Sequence, residues 1–385
     1  MSFTATSTVT FMDTPTVSFV VPCYKLGHLL PECLDSILGQ SYREFEVLVL
    51  DDCSPDNTAE VVRSYKDPRV KYIRNKKNLG HLQNYNHGIA MAKGHYIWLI
   101  SADDRLRTPN ILERYLGVME KHPQVGYACC PAMSLENGVE AHLEGSISKR
   151  DTIFPGKKFA TQLVKQGNFV IAASGMVRRR CYEKLGAFPL DLPYAGDWFL
   201  WCVFALHYDV AYFGEPMVNY RQHGLSMTNQ LTGEHYAIRF KDGLGVLWRI
   251  YHEAKTLGYA DLVQLCRQPI AYQYAHNIVG RRLGNSTFSM TVEEFEDSLD
   301  TNATDHADKL AIRARTWEIV ADSCFRRRDF EQAQKYYTMA RKFEGWRPTI
   351  LAKQALLHLR AGHVVVDFKD RIVDLRRTLA ASRSH

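Results

Sequence analysis

The sequence predicts an α/β domain with a mainly parallel β-sheet flanked by helices, followed by an all-helical C-terminal domain. Between residues 15 and about 224, short apolar runs alternate with amphipathic stretches of helical period, as in strand–helix–strand units. After about residue 230 the strand signals fade and long amphipathic helical patterns replace them. We therefore predict a flexible tail over residues 1–14, the α/β domain over 15–229 and the helical domain over 230–385.

Four strands are predicted in the first hundred residues. Apolar runs mark them at VSFVV (17–21), EVLVL (46–50), VKYIR (70–74) and HYIWLI (95–100). Helical stretches separate the strands: HLLPECLDSILGQ, residues 57–65 and residues 84–92. Because crossovers of this length join parallel strands, the sheet is predicted to be mainly parallel.

The C-terminal domain contains one repeat-like unit. The segment TWEIVADSCFRRRDFEQAQKYYTMARKFEG, with its break at Arg328 and Asp329, predicts a helix–turn–helix pair of roughly tetratricopeptide size. RPTILAKQALLHLRAG predicts a further helix, with Pro348 near its start and Gly362 after its end. A single unit predicts a helical appendage and not a solenoid.

Composition narrows the class of protein. Hydrophobic residues make up 46% of the chain and charged residues 23%, which excludes a mostly disordered chain. No apolar run approaches the roughly 18 residues that span a bilayer, and the Thr-rich N-terminus lacks the pattern of a secretory signal. The nine cysteines show no CxxC pairing, which indicates reduced thiols. These features predict a soluble, cytoplasmic protein.

Positive charge is concentrated in the C-terminal region. The net charge is +6, and residues 301–385 hold 17 lysines and arginines against 10 aspartates and glutamates. Clusters such as 326–328 and 376–377 fit peripheral contact with an anionic membrane on its cytoplasmic face, a homodimer contact, or a solvated helix surface. Neither zinc-ligand spacing nor interleaved basic and aromatic residues is present, so no nucleic-acid partner is expected.

Polar residues follow three of the predicted strands. Pro22 and Tyr24 follow the first strand, Asp52 the second, and Asp103 and Asp104 the fourth. Ligands of open α/β sheets bind at the carboxyl ends of the strands. Two adjacent carboxylates suit a divalent cation that bridges to phosphate oxygens.

Those positions have simpler interpretations as well. Tyr24 could be ordinary packing at a strand end. In DDCSPDNT, Ser54 or Asp56 could cap the following helix, as such residues often do. Adjacent aspartates are common in loops, so Asp103 and Asp104 alone identify no site.

Five ordered blocks make the pattern specific. They are VSFVVPCYKLGHLLPECLDSILGQSYREFEVLVLDDCSPDNT, NLG (78–80), GHYIWLISADD, AGDWFLW (195–201) and YRQHGLS (220–226). In this order they closely resemble the inverting family 2 glycosyltransferases, which have the Rossmann-like GT-A fold. The resemblance covers residues 15 to 228, about 55% of the chain.

The resemblance implies the donor-binding residues. Pro22 and Tyr24 match the loop against which the nucleotide base packs, and Asp52 matches the carboxylate that recognises the base. The resemblance implies that Asp103 contacts the ribose or phosphate side of the nucleotide. It implies that Asp104 contacts the nucleotide sugar and coordinates its metal ion.

The resemblance also implies the metal site and the base. Asp104 and His223 match the residues that hold Mn²⁺ or Mg²⁺, and Asp197 matches the catalytic base. The cation would stabilise the charge that grows on the leaving diphosphate, and the base would take the proton of the attacking hydroxyl, inverting the anomeric centre. Alternatively, His223 could anchor a loop, and Asp197 could cap the apolar helix that follows it.

Several positions depart from the family pattern. Ser101 stands where many relatives have the first Asp of an Asp-x-Asp motif, Cys53 where they often have Gly, and Gly196 where Glu often precedes the base. The QxxRW motif and membrane helices of the processive polymer synthases are absent from the sequence, which argues against that class.

Two functions follow as expectations. The first is transfer of one sugar, from a nucleotide diphosphate sugar that is most simply a UDP-sugar, to a hydroxyl of a glycan or lipid-linked acceptor in surface polysaccharide biosynthesis. The alternative is a catalytically weak nucleotide-sugar-binding or protein-interaction module that acts through its helical domain. Ser101 and the repeat-like helices motivate the alternative.

Overall fold

The computed structural model describes residues 15–224, 226, 236–282, 290–344 and 348–358. The chain divides into two compact units, residues 1–230 and residues 231–385. The tail predicted over residues 1–14 lies outside the described residues.

Strands of the first unit form two sheets. Their bounds are β1 (Val17–Cys23), β2 (Phe45–Asp51), β3 (Val70–Arg74), β4 (Tyr96–Leu99), β5 (Arg105–Leu106), β6 (Val125–Cys129), β7 (Ala132–Glu136), β8 (Val139–Glu144), β9 (Thr152–Phe154), β10 (Met176–Arg178), β11 (Asp209–Tyr212) and β12 (Val218–Arg221). The larger sheet has the order β3-β2-β1-β4-β10-β6-β11-β9, and the smaller one β5-β12-β7-β8.

The larger sheet is parallel where the sequence predicts it to be. β3, β2, β1 and β4 pair in parallel, whereas β10 runs antiparallel to both β4 and β6. Every residue of β1, β2 and β4 is buried, as expected for central strands covered by helices on both faces. The predicted α/β architecture is confirmed.

Helices of the first unit cover this sheet. They are α1 (Leu30–Leu38), α2 (Thr58–Ser64), α3 (His81–Met91), α4 (Ile111–Lys121), α5 (Gly156–Gln166), α6 (Arg179–Leu185) and α7 (Gly196–His207). The core contains an aromatic stack in which Trp98 packs between Phe19, at 5.5 Å between ring centroids, and Tyr115, at 4.6 Å. Such stacked rings bury large apolar areas and hold β1, β4 and α4 together.

The described part of the second unit is helical throughout. Its helices are α8 (Tyr236–Thr256), α9 (Ala260–Arg282), α10 (Val292–Asn302), α11 (His306–Arg326), α12 (Phe330–Glu344) and α13 (Pro348–His358). Trp317 of α11 is fully buried and contacts Phe295 at 5.4 Å and Tyr336 at 5.5 Å between ring centroids. The predicted helical C-terminal region is confirmed.

The predicted break in the helix pair falls between α11 and α12. Arg328 lies there with φ of 64°, a left-handed conformation that ends a helix. Gly362 and the cluster 376–377 lie outside the described residues. Among the helices that the structure describes, none combines the length and the apolar character that a bilayer crossing requires.

Candidate functional site

The parallel pairing brings three strand ends to one edge of the larger sheet. The backbone N–H of Asp52 donates to the carbonyl of Cys23 at 2.9 Å, and that of Ala102 donates to the carbonyl of Pro22 at 3.2 Å. The loops after β1, β2 and β4 are therefore joined directly. Asp52 and the Asp103–Asp104 pair follow these strand ends, as the sequence predicts, whereas Pro22 is the penultimate residue of β1, which extends two residues further than predicted.

Tyr24 is open to solvent at this edge. Its side chain is 41% exposed, and Lys25 Nζ lies 5.1 Å from its ring centroid. The loop beneath it is fixed, because Lys25 N–H donates to Ser54 Oγ at 3.1 Å and Gly27 N–H donates to Asp56 Oδ2 at 3.0 Å. An exposed ring on a fixed loop suits stacking against a flat ligand better than it suits core packing.

Asp52 is buried and holds the loop before α3. Oδ1 accepts hydrogen bonds from Asn75 Nδ2 and Leu79 N–H, both at 2.8 Å, and Oδ2 accepts one from Gly80 N–H at 3.0 Å. This support of the NLG segment is a role that sequence reasoning missed. Recognition of the base by Asp52 stays a prediction.

Asp51 and Asp56, which lie near Asp52 in the chain, both accept hydrogen bonds from other groups of the protein. Asp51 Oδ1 accepts from Ser54 N–H at 2.7 Å, and Tyr72 donates its hydroxyl to Asp51 Oδ2 at 2.5 Å. Asp56 Oδ1 accepts from the N–H of Thr58, the first residue of α2, at 3.2 Å. The cap position of α2 is Asn57, so neither Ser54 nor Asp56 is its cap, and Asp56 supports the first residue of the helix from the position before the cap.

Asp103 carries an open carboxylate oxygen. Oδ2 is 2.8 Å from Nε2 of His223, so the structure brings these two predicted residues together. Oδ1 is buried, and no hydrogen-bond partner for it exists in the part of the chain that the structure describes. A buried carboxylate oxygen without a partner is costly, so a ligand is expected at this atom.

The carboxylate of Asp104 has different hydrogen-bond partners from that of Asp103. Its side chain is buried, and Oδ1 accepts a hydrogen bond of 2.9 Å from the backbone N–H of Arg221 in β12. Burial raises the pKa of Asp104 above its usual range, and the charge of Asp103 raises it further. Arg221 also donates from Nε to the backbone carbonyl of Asp103 at 2.9 Å. Arg221 therefore ties β12 to the loop after β4, which sequence reasoning missed.

These residues fit a hard divalent cation with few protein ligands. Within the described residues no group of three or more His, Cys, Asp or Glu side chains forms a closed metal cage. Mg²⁺ and Mn²⁺ often bind through one or two protein ligands, with phosphate oxygens and waters completing the shell. The open Oδ1 of Asp103 and the adjacent His223 fit such a minimal set. Each of the two aspartates has one engaged oxygen, because Asp103 Oδ2 faces His223 and Asp104 Oδ1 accepts from Arg221 N–H.

Asp197 lies in the first turn of α7 with a raised pKa. Oδ1 accepts from Trp198 N–H at 2.7 Å, and Oδ2 accepts from Asn168 Nδ2 at 2.9 Å. The cap position of α7 is Ala195, so Asp197 lies inside the helix and is not its cap. Burial raises the pKa of Asp197 to about 6, although the two hydrogen bonds lower it.

Tyr85 of α3 packs between His81 and Phe188 and was missed in the sequence. Burial raises the pKa of the Tyr85 hydroxyl, and the charges of Asp103, Asp197 and Asp104 raise it further. No motif marks Tyr85, because it appears in the sequence as one more residue of a helical stretch.

Comparisons with known proteins agree with this architecture. Residues 18–186 match the family model described as glycosyl transferase family 2. Glycosyltransferase GlyG of Streptococcus pneumoniae is 37% identical over 111 residues, which are 28% of this chain and 37% of that protein. An uncharacterized glycosyltransferase of Haemophilus influenzae is 28% identical over 220 residues, 54% of this chain and 66% of that protein. The matched region thus spans about one third to two thirds of these relatives.

Solved structures share the fold. TarS 1-349 of S. aureus in complex with UDP has a TM-score of 0.55 at 17% identity, over 86% of this chain and 93% of that chain. The complex of TarS 1-349 with UDP-GlcNAc has a TM-score of 0.56 at 16% identity, over 89% and 92% of the two chains. Residues 18–186 of this chain thus match glycosyl transferase family 2, and the chain shares the GT-A fold of these solved structures.

Proposed function

We propose that the protein is an inverting, metal-dependent glycosyltransferase. It moves one sugar from a nucleotide diphosphate sugar to a hydroxyl of a glycan or lipid-linked acceptor. The observation that carries this proposal is Asp197, a carboxylate held by two hydrogen bonds with a pKa raised to about 6. A general base works best when its pKa lies near the operating pH, which an ordinary solvated aspartate does not reach.

The donor side of the proposal rests on Asp103 and His223. We propose that the divalent cation, Mn²⁺ or Mg²⁺, binds Asp103 Oδ1 and His223, while the sequence-based assignment to Asp104 and His223 stays a prediction. The carboxylate of Asp104 orients the loop after β4, because its Oδ1 accepts a hydrogen bond from Arg221 N–H. When bound, the cation supplies a Lewis acid for the negative charge of the leaving diphosphate. The nucleotide base is proposed to stack on Tyr24 beside Pro22, with Asp52 at its polar edge.

The favoured donor is a UDP-sugar. The TarS structures contain UDP and UDP-GlcNAc, and their fold likeness to this chain supports the same nucleotide class. The acceptor is proposed to be a glycan or a lipid-linked glycan of surface polysaccharide biosynthesis. We also propose a cytoplasmic location with peripheral contact at an anionic membrane, because such acceptors are presented there. A homodimer stays a prediction.

A binding experiment tests the donor class and the metal site together. Thermal unfolding is measured with UDP, GDP, dTDP or CMP, each with and without Mn²⁺. A ligand at about 100 times its dissociation constant stabilises the folded state by roughly 2.7 kcal/mol. We expect UDP to stabilise the protein only when Mn²⁺ is present. If none of the nucleotides stabilises it, the transferase proposal fails and the alternative module, acting through its helical domain, gains support.

The membrane contact is tested separately. Vesicles of phosphatidylcholine, with or without about 30% phosphatidylserine, are sedimented with the protein at low and high salt. Binding to the anionic vesicles that salt removes would support an electrostatic contact. Equal sedimentation with both vesicle types, or with neither, would contradict it.

A further inference from the structure

Glu32 of α1 binds two arginines that border the candidate metal site. Its Oε2 accepts hydrogen bonds from Nη1 of Arg105 at 3.1 Å and from Nη2 of Arg221 at 2.8 Å. Arg105 directly follows Asp104 in the chain, and Arg221 lies two residues before His223. One carboxylate thus joins the segment that carries the two aspartates to the segment that carries the histidine.

Arg221 extends this connection into the site. Its side chain is only 10% exposed. While Nη2 binds Glu32, Nε donates to the backbone carbonyl of Asp103 at 2.9 Å, and the backbone N–H donates to Oδ1 of Asp104 at 2.9 Å. Because the guanidinium group is a rigid planar fork, its bond to Glu32 and its bond to Asp103 orient each other. The position of the Asp103 backbone therefore depends on where Glu32 holds Arg221.

The pairing of β5 with β12 explains why these residues meet. The two strands run antiparallel with Asn219 opposite Arg105, and Nε of Arg105 donates to Asn219 Oδ1 at 3.0 Å. Continued by two residues, this register places Arg221 opposite Asp103. His223 follows two residues later, and its Nε2 lies 2.8 Å from Oδ2 of Asp103. The pair of Asp103 and His223 therefore lies at the end of a two-stranded ribbon that is fixed from α1.

A divalent cation with few protein ligands needs those ligands at a fixed separation. Mg²⁺ takes its ligands at about 2.0–2.1 Å in near-octahedral geometry. Loss of a partner that orients a metal ligand typically lowers metal affinity about 10- to 100-fold. We propose that Glu32, acting through Arg221, is a positioning residue of the divalent-cation site formed by Asp103 and His223. This inference rests on the proposed function.

Mn²⁺ binding measured by electron paramagnetic resonance tests this role. The signal of free Mn²⁺ is titrated with wild type or Glu32→Ala in the presence of UDP, and a protein-free blank accounts for Mn²⁺ bound by UDP itself. We expect the Mn²⁺ affinity of Glu32→Ala to be about tenfold lower. The ligand-free variant should unfold near the wild-type temperature, because Glu32 is 47% exposed and ion pairs of exposed side chains contribute little to stability.

Three further variants complete the design. Glu32→Gln keeps an oxygen that can accept from Arg221, so its Mn²⁺ affinity should lie between those of wild type and Glu32→Ala. Arg221→Lys keeps the positive charge but loses the planar fork that joins Asp103 to Glu32, so its affinity should fall at least as far as that of Glu32→Ala. Glu215→Ala is the matched control. Glu215 is 56% exposed and pairs with Arg114 at 2.6 Å, outside the candidate site, so this variant should bind Mn²⁺ as wild type does.

The outcomes separate this inference from the proposed function. If Glu32→Ala binds Mn²⁺ as tightly as wild type, the positioning role is overturned while the cation site stands. Equal losses in Glu32→Gln and Glu32→Ala, or in Glu215→Ala and Glu32→Ala, would mean that negative charge alone matters and would also overturn it. Should Arg221→Lys fold poorly, the two Glu32 variants decide the question. If wild type binds no Mn²⁺ in the presence of UDP, the proposed metal dependence fails, and the positioning role fails with it.

Discussion

Asn168 donates a hydrogen bond of 2.9 Å to Oδ2 of Asp197, from a position 29 residues earlier in the chain. Asn168 directly follows Gly167, which ends α5 with φ of 83°. Its own Oδ1 accepts from Val170 N–H at 3.1 Å, so the amide group is fixed at both ends. The orientation of the proposed base is therefore set by a loop that no family motif includes.

Replacement of Asp197 by Asn should abolish most of the transfer. Asparagine keeps the size of the side chain and can still accept from Trp198 N–H, but it cannot take a proton. We expect the turnover number to fall by about 10²- to 10⁴-fold while the affinity for the donor is kept. Steady-state kinetics and donor titration measure the two quantities. Transfer at the wild-type rate would remove Asp197 from the role of base.

The pH dependence of transfer should report the pKa of Asp197. The base must be ionised, so kcat/KM should rise with pH and level off above a pH of about 6. Asn168→Ala removes a hydrogen bond that lowers this pKa, and the rising limb should therefore move to higher pH. A pH–rate profile checks both expectations. If kcat/KM of Asn168→Ala rises over the same pH range as that of wild type, Asn168 does not set the pKa of Asp197.

Relative to wild type, Asp197→Asn should be more stable at pH 8 than at pH 4. The pKa of Asp197 is raised from 3.8 to about 6 in the folded protein, so folding disfavours its charged form. The native state is penalised above a pH of about 6, and the penalty disappears below a pH of about 4, where both states are protonated. Because the group is partly exposed, we expect the stability of the variant relative to wild type to rise by only about 1–2 kcal/mol from pH 4 to pH 8. Urea unfolding at pH 8 and pH 4 measures this difference, which a constant gain at both pH values would contradict.

The two adjacent aspartates should respond differently to replacement. Asp103→Asn removes the carboxylate whose Oδ1 is open, and UDP should then give no additional stabilisation when Mn²⁺ is present. Asp104→Asn keeps an oxygen that can accept from Arg221 N–H, so the response to Mn²⁺ should remain. Thermal unfolding with UDP, with Mn²⁺ and after chelation with EDTA distinguishes the two variants. The reverse result would restore Asp104 as the metal ligand.

The buried Trp317 should be essential for the stability of the helical unit. Trp317 is fully buried between Phe295 and Tyr336, so truncation to Ala should cost about 3–5 kcal/mol in the free energy of unfolding. Tyr272→Ala is the control, because the Tyr272 side chain is 47% exposed and should cost far less. Denaturant unfolding followed by circular dichroism measures both. Equal costs would contradict the packing described for α11.

Strands β1, β2 and β4 could be predicted from the sequence because they lie in the interior of the larger sheet. Central parallel strands are buried on both faces and therefore appear as continuous apolar runs, which is how β1, β2 and β4 were recognised. The start of α3 was placed three residues too late. Its first turn follows Gly80, whose N–H is held by Asp52, and that contact leaves no periodic signal in the sequence.

The smaller sheet could not be predicted in the same way. β5 has only two residues, and every residue of β8 is at least partly exposed. Apolar patterning is the main signal of a strand, so short or exposed strands give little of it. Their pairing becomes evident only through partners distant in the chain, as β5 and β7 pair with β12.

The sequence by itself determined the order of the strands and helices, the family resemblance and the positions of the acidic residues, because these depend on local patterns of residue type. Only the tertiary structure decided which of those residues are chemically available. Arg221, 117 positions away, occupies an oxygen of Asp104, while Oδ1 of Asp103 stays open. Burial and hydrogen bonds likewise decide the pKa of Asp197. Availability and proton affinity are set by neighbours in space, and those neighbours are brought together only by folding.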